Sequence, residues 1–171
     1  MSNRKPAKSS AEAPASLAVV HGWTLFAHPV FTEQLDALLV EVERLHKTDP
    51  VGYAKKNATK RLAAIQRLVF DIIPQDPTRA EYRQGATLGD EHKHWFRAKF
   101  FQQYRLFFRY DLASRVIVFA WVNDDDSKRA YDSAHDAYRT FSRMLKAGRP
   151  PDEWAALLHE AKLNIQRRPM K

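Results

Sequence analysis

The chain has 171 residues, 28 Lys and Arg against 20 Asp and Glu, a net charge of +8 and no cysteine. That length holds one domain with a real core, and the charge favours an acidic partner such as nucleic acid. The missing cysteine excludes disulfides, thiolate zinc sites and cysteine nucleophiles.

Residues 1–16 are Ser, Ala, Pro and Lys with almost nothing to bury, and read as a flexible basic tail. They lack the hydrophobic core of a secretion signal, and no apolar run in the chain is long enough to span a membrane. A cytoplasmic protein is expected. The folded domain is expected over 17–165, with a loose basic C-terminus at 166–171.

Residues 17–27 suit a short strand or two around Gly22. A helix then starts at His28-Pro29, with Glu33 and Asp36 near its positive end and an apolar stripe of Phe31, Leu35, Leu38, Val42 and Leu45. Asp49-Pro50 reads as a second helix start. Its stripe is Ala58, Leu62, Ile65, Val69 and Ile72, and Pro74 stops it. Lys55, Lys56, Lys60, Arg61 and Arg67 read as the solvated face of that helix. Residues 82–88 suit a first strand and 89–93 a polar turn.

Three strands follow, over 94–101, 104–110 and 115–122. Side chains alternate in a strand. Phe96, Ala98, Phe100, Leu106, Phe108 and Tyr110 therefore face a core, and Trp95, Arg97, Lys99, Phe101, Arg105, Phe107 and Arg109 face the other way. An open face of cations and aromatics without one carboxylate suits a polyanion with bases to stack. After a loop at 123–127, helical spacing returns with Tyr131, Ala134, Tyr138, Phe141 and Leu145, and Gly148 ends it. Asp152 opens a last short helix through Trp154, Leu157 and Leu158. The predicted class is α+β: an N-terminal strand, two helices, an antiparallel meander and C-terminal helices.

Several chemistries are weak here. Asp124, Asp125 and Asp126 lack the calcium-loop pattern and read as a solvated turn. His92 and His94 straddle Lys93 and could share a metal, but no third ligand is evident, so no metal or other cofactor is expected. There is no Gly-rich phosphate loop and no serine nucleophile elbow. What remains is the basic face, with Lys128, Arg129 and Tyr131 just beyond the third strand. Cutting RNA without a metal needs a base for the ribose 2′-OH, cations for the phosphate, and an acid for the leaving 5′-oxygen. Crowding Arg97, Lys99 and Arg105 favours proton loss from the lysine, so Lys99 could act as the base.

The motifs R-A-K, Y-R-L-F-F-R-Y, V-I-V-F-A-W-V and K-R-A-Y resemble the RelE/ParE superfamily of bacterial toxins. The resemblance to the YhaV toxin family is closer and covers nearly the whole chain after the tail. It runs through G-W-T-L-F-A-H-P, A-T-K-R-L, W-F-R-A-K-F, W-V-N-D-D, D-A-Y-R-T-F-S-R-M-L-K-A-G and P-P-D-E-W. It implies a RelE-like compact fold. It also implies a type II toxin that cuts mRNA, commonly on the ribosome, and a PrlF-type, AbrB-like antitoxin as partner. The superfamily's basic pair falls on Arg97 and Lys99, its strand arginine on Arg105 and its late arginine on Arg129; its late tyrosine falls on Tyr131 or Tyr138. The pair here is Arg-x-Lys, so only Lys99 can readily lose a proton, and the turn Gln102-Gln103 is shorter than the general pattern. Arg83, Lys93, His94, Trp95, Arg109, Lys128 and Tyr138 would extend the RNA-binding surface. Two alternatives are a ParE-like toxin that blocks a protein such as DNA gyrase, and a plain RNA-binding module.

Overall fold

The computed structural model describes residues 16–128 and 136–168. Two N-terminal strands, β1 (Ala18–Val20) and β2 (Trp23–Ala27), form a hairpin. Its turn places His21 at φ 52° and Gly22 at φ 83°, and only the glycine takes that left-handed backbone without strain. Helix α1 (Pro29–Thr48) follows directly. His28 caps it by accepting the Val30 N–H on its side chain, and Pro29 occupies the position where a missing N–H costs nothing.

The second helix starts later than the sequence suggests. Asp49 closes α1 with its own N–H on the Leu45 carbonyl, and its carboxylate takes the Gly52 N–H instead of capping a new helix. Helix α2 therefore begins at Asn57 and is regular to Arg67. It then widens into a π turn over Leu68–Ile72 and ends with Ile73–Gln75. Pro74 thus sits inside the final turn and does not stop the helix before it. Proline has no N–H and its ring crowds the carbonyl four residues back, and the wider turn makes room for it.

The expected strand over 82–88 does not form. Tyr82 closes a short turn, Arg83 makes one bridge to Phe96, and Gln84 fastens the rest by donating to the His92 carbonyl and accepting from Leu88 N–H. The meander itself is present as β3 (Phe96–Phe100), β4 (Tyr104–Asp111) and β5 (Val116–Val122). The five strands order as β1-β2-β5-β4-β3, with β2 and β5 parallel and the other neighbours antiparallel.

Helix α3 (Ala137–Lys146) ends at Gly148, at φ 78°. The last helix, α4 (Trp154–Arg167), has 14 residues and is not short. Its cap is Glu153, which accepts from Ala155 and Ala156, so Asp152 is free for other partners. Where a loose end is expected from 166, the helix continues, and Arg168 pairs with Asp36 at 3.0 Å.

The sheet is covered on both sides. On one face Leu25, Leu106, Phe108, Ile117 and Phe119 pack against Phe31, Leu38, Leu62 and Ile65 of α1 and α2. On the other, Trp95, Phe107, Val118 and Trp121 pack against Phe141, Leu145, Leu157 and Ala161 of α3 and α4. The expected open face is thus overturned: Trp95 and Phe107 are 0% exposed. The apolar stripes of α3 and α4 had to be buried, and this aromatic sheet surface is what buries them.

Candidate active site

Arg97 on β3 and Arg105 on β4 point to the same side, and Lys99 lies directly across from Arg105. The first turn of α3 brings Tyr138 down onto them. Arg97 Nε donates to the Tyr138 hydroxyl oxygen at 2.8 Å and Arg105 Nε donates to the same oxygen at 3.1 Å. Arg97 Nη1 donates to the carbonyls of Glu81 and Arg83 at 2.8 and 2.9 Å. Arg105 Nη1 donates to those of Gln102 and Tyr104 at 2.8 and 3.0 Å.

Each guanidinium group is held by its own pair of backbone carbonyls, and the residue exposures are 9% and 7%. Neither forms an ion pair with a carboxylate among the described residues. Arginine stays charged, and two buried like charges without a counter-ion are costly. A protein keeps such a pair where an anion supplies the missing charge, and the planar fork of donors suits phosphate.

Two further side chains set this geometry. Asp136 caps α3 by accepting the Tyr138 N–H at 3.0 Å, which fixes the turn carrying the hydroxyl. Asn123 accepts the Arg105 N–H at 2.7 Å and donates to the carbonyls of Ser127 and Gln103 at 2.8 and 3.2 Å. It ties the loop after β5 to the β3–β4 turn. In that turn Phe101 and Gln102 adopt φ of 47° and 65°, and the Gln102 carbonyl meets Arg105. The sequence reading missed Asp136 and Asn123. The visible signals were a short polar residue two positions before an aromatic helix start, and an asparagine closing a strand.

The acidic loop is a clamp. Asp124 and Ser127 cap one another across a short turn. Asp125 accepts from the Tyr104 hydroxyl and faces Arg61 at 3.5 Å and Lys128 at 3.7 Å. The Tyr104 hydrogen bond, against some desolvation and with help from Arg61 and Lys128, holds the Asp125 carboxyl below the ordinary carboxylate range. Arg61, read from sequence as solvated, is buried and stacks on the Tyr104 ring at 4.8 Å. The helix face turned toward β4 leaves it nowhere else to go.

The structure brings together Arg97, Arg105 and Tyr138, with Lys99 exposed beside them. Arg129 and Tyr131 lie outside the described residues. Trp95 is fully buried and cannot stack on a base; its ring packs edge-on against Phe141. Arg109 is a packing cation: it sits over the rings of Trp95 and Trp154 and donates to the Asp152 carbonyl at 2.6 Å. His94 is half-buried against Asp152, Lys93 faces Asp90 at 3.6 Å, and Arg83 is exposed, offering the cluster its carbonyl. No helix among the described residues is long and apolar enough to cross a membrane.

A small α+β frame that buries two arginines beneath a tyrosine hydroxyl, with no carboxylate partner among the described residues, offers a fixed set of donors that suits a phosphate. Sequence comparison assigns the family. Residues 25–162 match the model of the YhaV toxins, described as toxins with endonuclease activity of toxin–antitoxin systems, and the chain belongs to that family. It is a toxin with endonuclease activity, and an antitoxin is its partner. It is 45% identical over 143 residues to the ribonuclease toxin YhaV of Escherichia coli strain K12, covering 82% of this chain and 93% of the relative. The toxins YhaV of Escherichia coli O6:H1 and O157:H7 match to the same extent. No solved structure matches the chain.

Proposed function

We propose that this toxin is an endoribonuclease that cuts mRNA without a metal at the Arg97–Tyr138–Arg105 cluster. The scissile phosphate docks between Arg97 and Arg105, whose buried guanidinium groups, without a carboxylate partner among the described residues, it neutralises. Lys99 takes the proton of the ribose 2′-OH. The 2′-oxygen attacks phosphorus, the bond to the 5′-oxygen breaks, and the leaving oxygen is protonated. The arginines stabilise the charge that builds on the phosphoryl oxygens, with Arg129 as a third cation. Tyr138 positions both arginines, and Tyr131 orients a nucleotide or supplies the leaving-group proton. Arg83, Lys93 and Lys128 extend the path for the RNA backbone. The substrate is mRNA on the ribosome in the cytoplasm, and the antitoxin is of the PrlF type.

The observation that carries this reading is the pair of buried arginines with no described carboxylate partner. The name of the Escherichia coli K12 relative, a ribonuclease toxin, supports RNA as the substrate. The test is the chemistry of the product ends. Fragments are expected to carry 2′,3′-cyclic phosphate and 5′-hydroxyl ends, and to form equally well in EDTA. Fragments with 5′-phosphates would sink the mechanism.

A further inference from the structure

The turn that opens α4 carries Asp152, and the segment leading into β3 carries His92 and His94. One carboxylate oxygen of Asp152 meets His92 Nδ1 at 2.9 Å, His94 Nε2 at 2.8 Å and the Trp95 indole nitrogen at 2.8 Å. One ligand atom from each of His92, His94 and Asp152 lies within 4.8 Å of the others. Asp152 is the third ligand that the His-x-His spacing lacked in sequence. It comes from 58 residues beyond His94, supplied by the fold alone.

We propose that His92, His94 and Asp152 bind a zinc-class divalent metal ion that staples the start of β3 to the start of α4. Two imidazole nitrogens and one carboxylate are the donors that Zn²⁺, Co²⁺ and Ni²⁺ prefer, whereas Mg²⁺ and Ca²⁺ take oxygen. Tetrahedral bonds of about 2.0–2.1 Å put ligand atoms roughly 3.3 Å apart. The present spacings of 2.9 and 2.8 Å are those of hydrogen bonds, and must open by about 0.5 Å. His94, with 36% of its side chain exposed, and the turn bearing Asp152 have room for that movement.

On binding, each imidazole proton that now points at the carboxylate moves to the other ring nitrogen, through solvent, and the ion takes the lone pair so freed. The shell around the ligands is already in place. Trp95 N–H holds the carboxylate, and Glu91 lies 3.9 Å from His92 Nε2, the nitrogen turned away from the site. Three protein ligands leave a coordination position for water. Trp95 and Phe96 separate His94 from Arg97 in the chain, and Arg97 bonds to Tyr138 and to the Glu81 and Arg83 carbonyls and to none of these ligands, so the ion braces the scaffold and takes no part in cleavage. Binding weakens on acidification, because both histidines must be neutral to ligate.

The test uses tag-free, full-length protein, titrated with Co²⁺ and then Zn²⁺. A one-to-one Co²⁺ absorption band that Zn²⁺ displaces is expected, and Zn²⁺ should raise the melting temperature by several degrees. His94→Ala and Asp152→Asn should each weaken binding at least 100-fold, whereas His46→Ala, at an exposed histidine elsewhere, should not change it. His94 is half-exposed and Asp152→Asn keeps a hydrogen-bond acceptor, so metal-free circular dichroism of both should match wild type. The site is overturned if no stoichiometric binding occurs, or if binding survives both substitutions unchanged. Cleavage in EDTA is a separate readout, so failure of this site leaves the nuclease reading standing.

Discussion

Tyr138→Phe removes a single oxygen from the centre of the cluster. The ring stays, packed edge-on against Phe107 with centroids 5.6 Å apart, so no cavity opens. What is lost is the acceptor for Arg97 Nε at 2.8 Å and Arg105 Nε at 3.1 Å, both in buried residues. A hydrogen bond to a charged group contributes roughly 1.5–3 kcal/mol when its loss leaves the group unpaired. The two share one oxygen and do not add in full, so the expected loss is about 2–4 kcal/mol, using that range. For a domain of this size that lowers the melting temperature by roughly 4–16 °C. The guanidinium groups also lose their fixed orientation, so RNA cleavage by the purified variant should fall by about 100-fold, as when a positioned charge stabiliser is removed. Thermal denaturation and single-turnover cleavage of a defined RNA, assayed well below the variant's melting point, measure the two effects. A variant that melts within about 1 °C of wild type and cuts at the wild-type rate would refute the claim that this hydroxyl positions the arginines.

Lys99→Ala should leave the melting temperature unchanged within about 1 °C, because truncating an exposed strand side chain is close to neutral. It should also cut cleavage by 100-fold or more if Lys99 is the base, and unchanged cleavage rates would remove it from that role. At His28, burial is the largest influence and lowers its pKa from the ordinary 6.5, outweighing the opposite pull of Glu160. The folded state therefore binds this proton less readily than the unfolded chain. Stability is full above pH 6.5 and declines as pH falls from there through the folded value, because burial penalises the charged imidazole; protonation of Nδ1 also removes the acceptor of the Val30 N–H. Urea midpoints between pH 7.5 and 5 should show this slope, and His28→Asn, which keeps a cap acceptor, should flatten it. An unchanged slope would assign the decline elsewhere.

The elements that alternation and helical spacing control were legible. Phe96, Ala98, Phe100, Leu106 and Phe108 do face one core, and the α1 stripe from Phe31 to Leu38 does meet it. Arg97, Lys99 and Arg105 were legible as one basic group for the same reason, since a strand period of two puts them on one side. Alternation says which residues share a face but not what covers it. A face carrying Trp95 and Phe107 read as open because the helices that close it arrive some forty residues later in the chain. The same gap in range hid Asp152 from His92 and His94, and hid the parallel pairing of β2 with β5. Between Tyr131 and Tyr138, chain order could not choose. Tyr138 is the tyrosine whose hydroxyl meets both arginines among the described residues. Pro50 and Pro74 misled because each was read as a boundary mark, whereas Asp49 serves the preceding helix and the π turn accommodates Pro74.

The central claim is that the buried arginine pair is the site at which RNA is cut. Its most direct test is induced expression of wild type beside Arg105→Ala, with primer extension on a translated mRNA. Growth arrest with new 5′ ends in wild type, both lost in an Arg105→Ala variant that accumulates to the same level, is the predicted result. The same new ends appearing with the variant would contradict it.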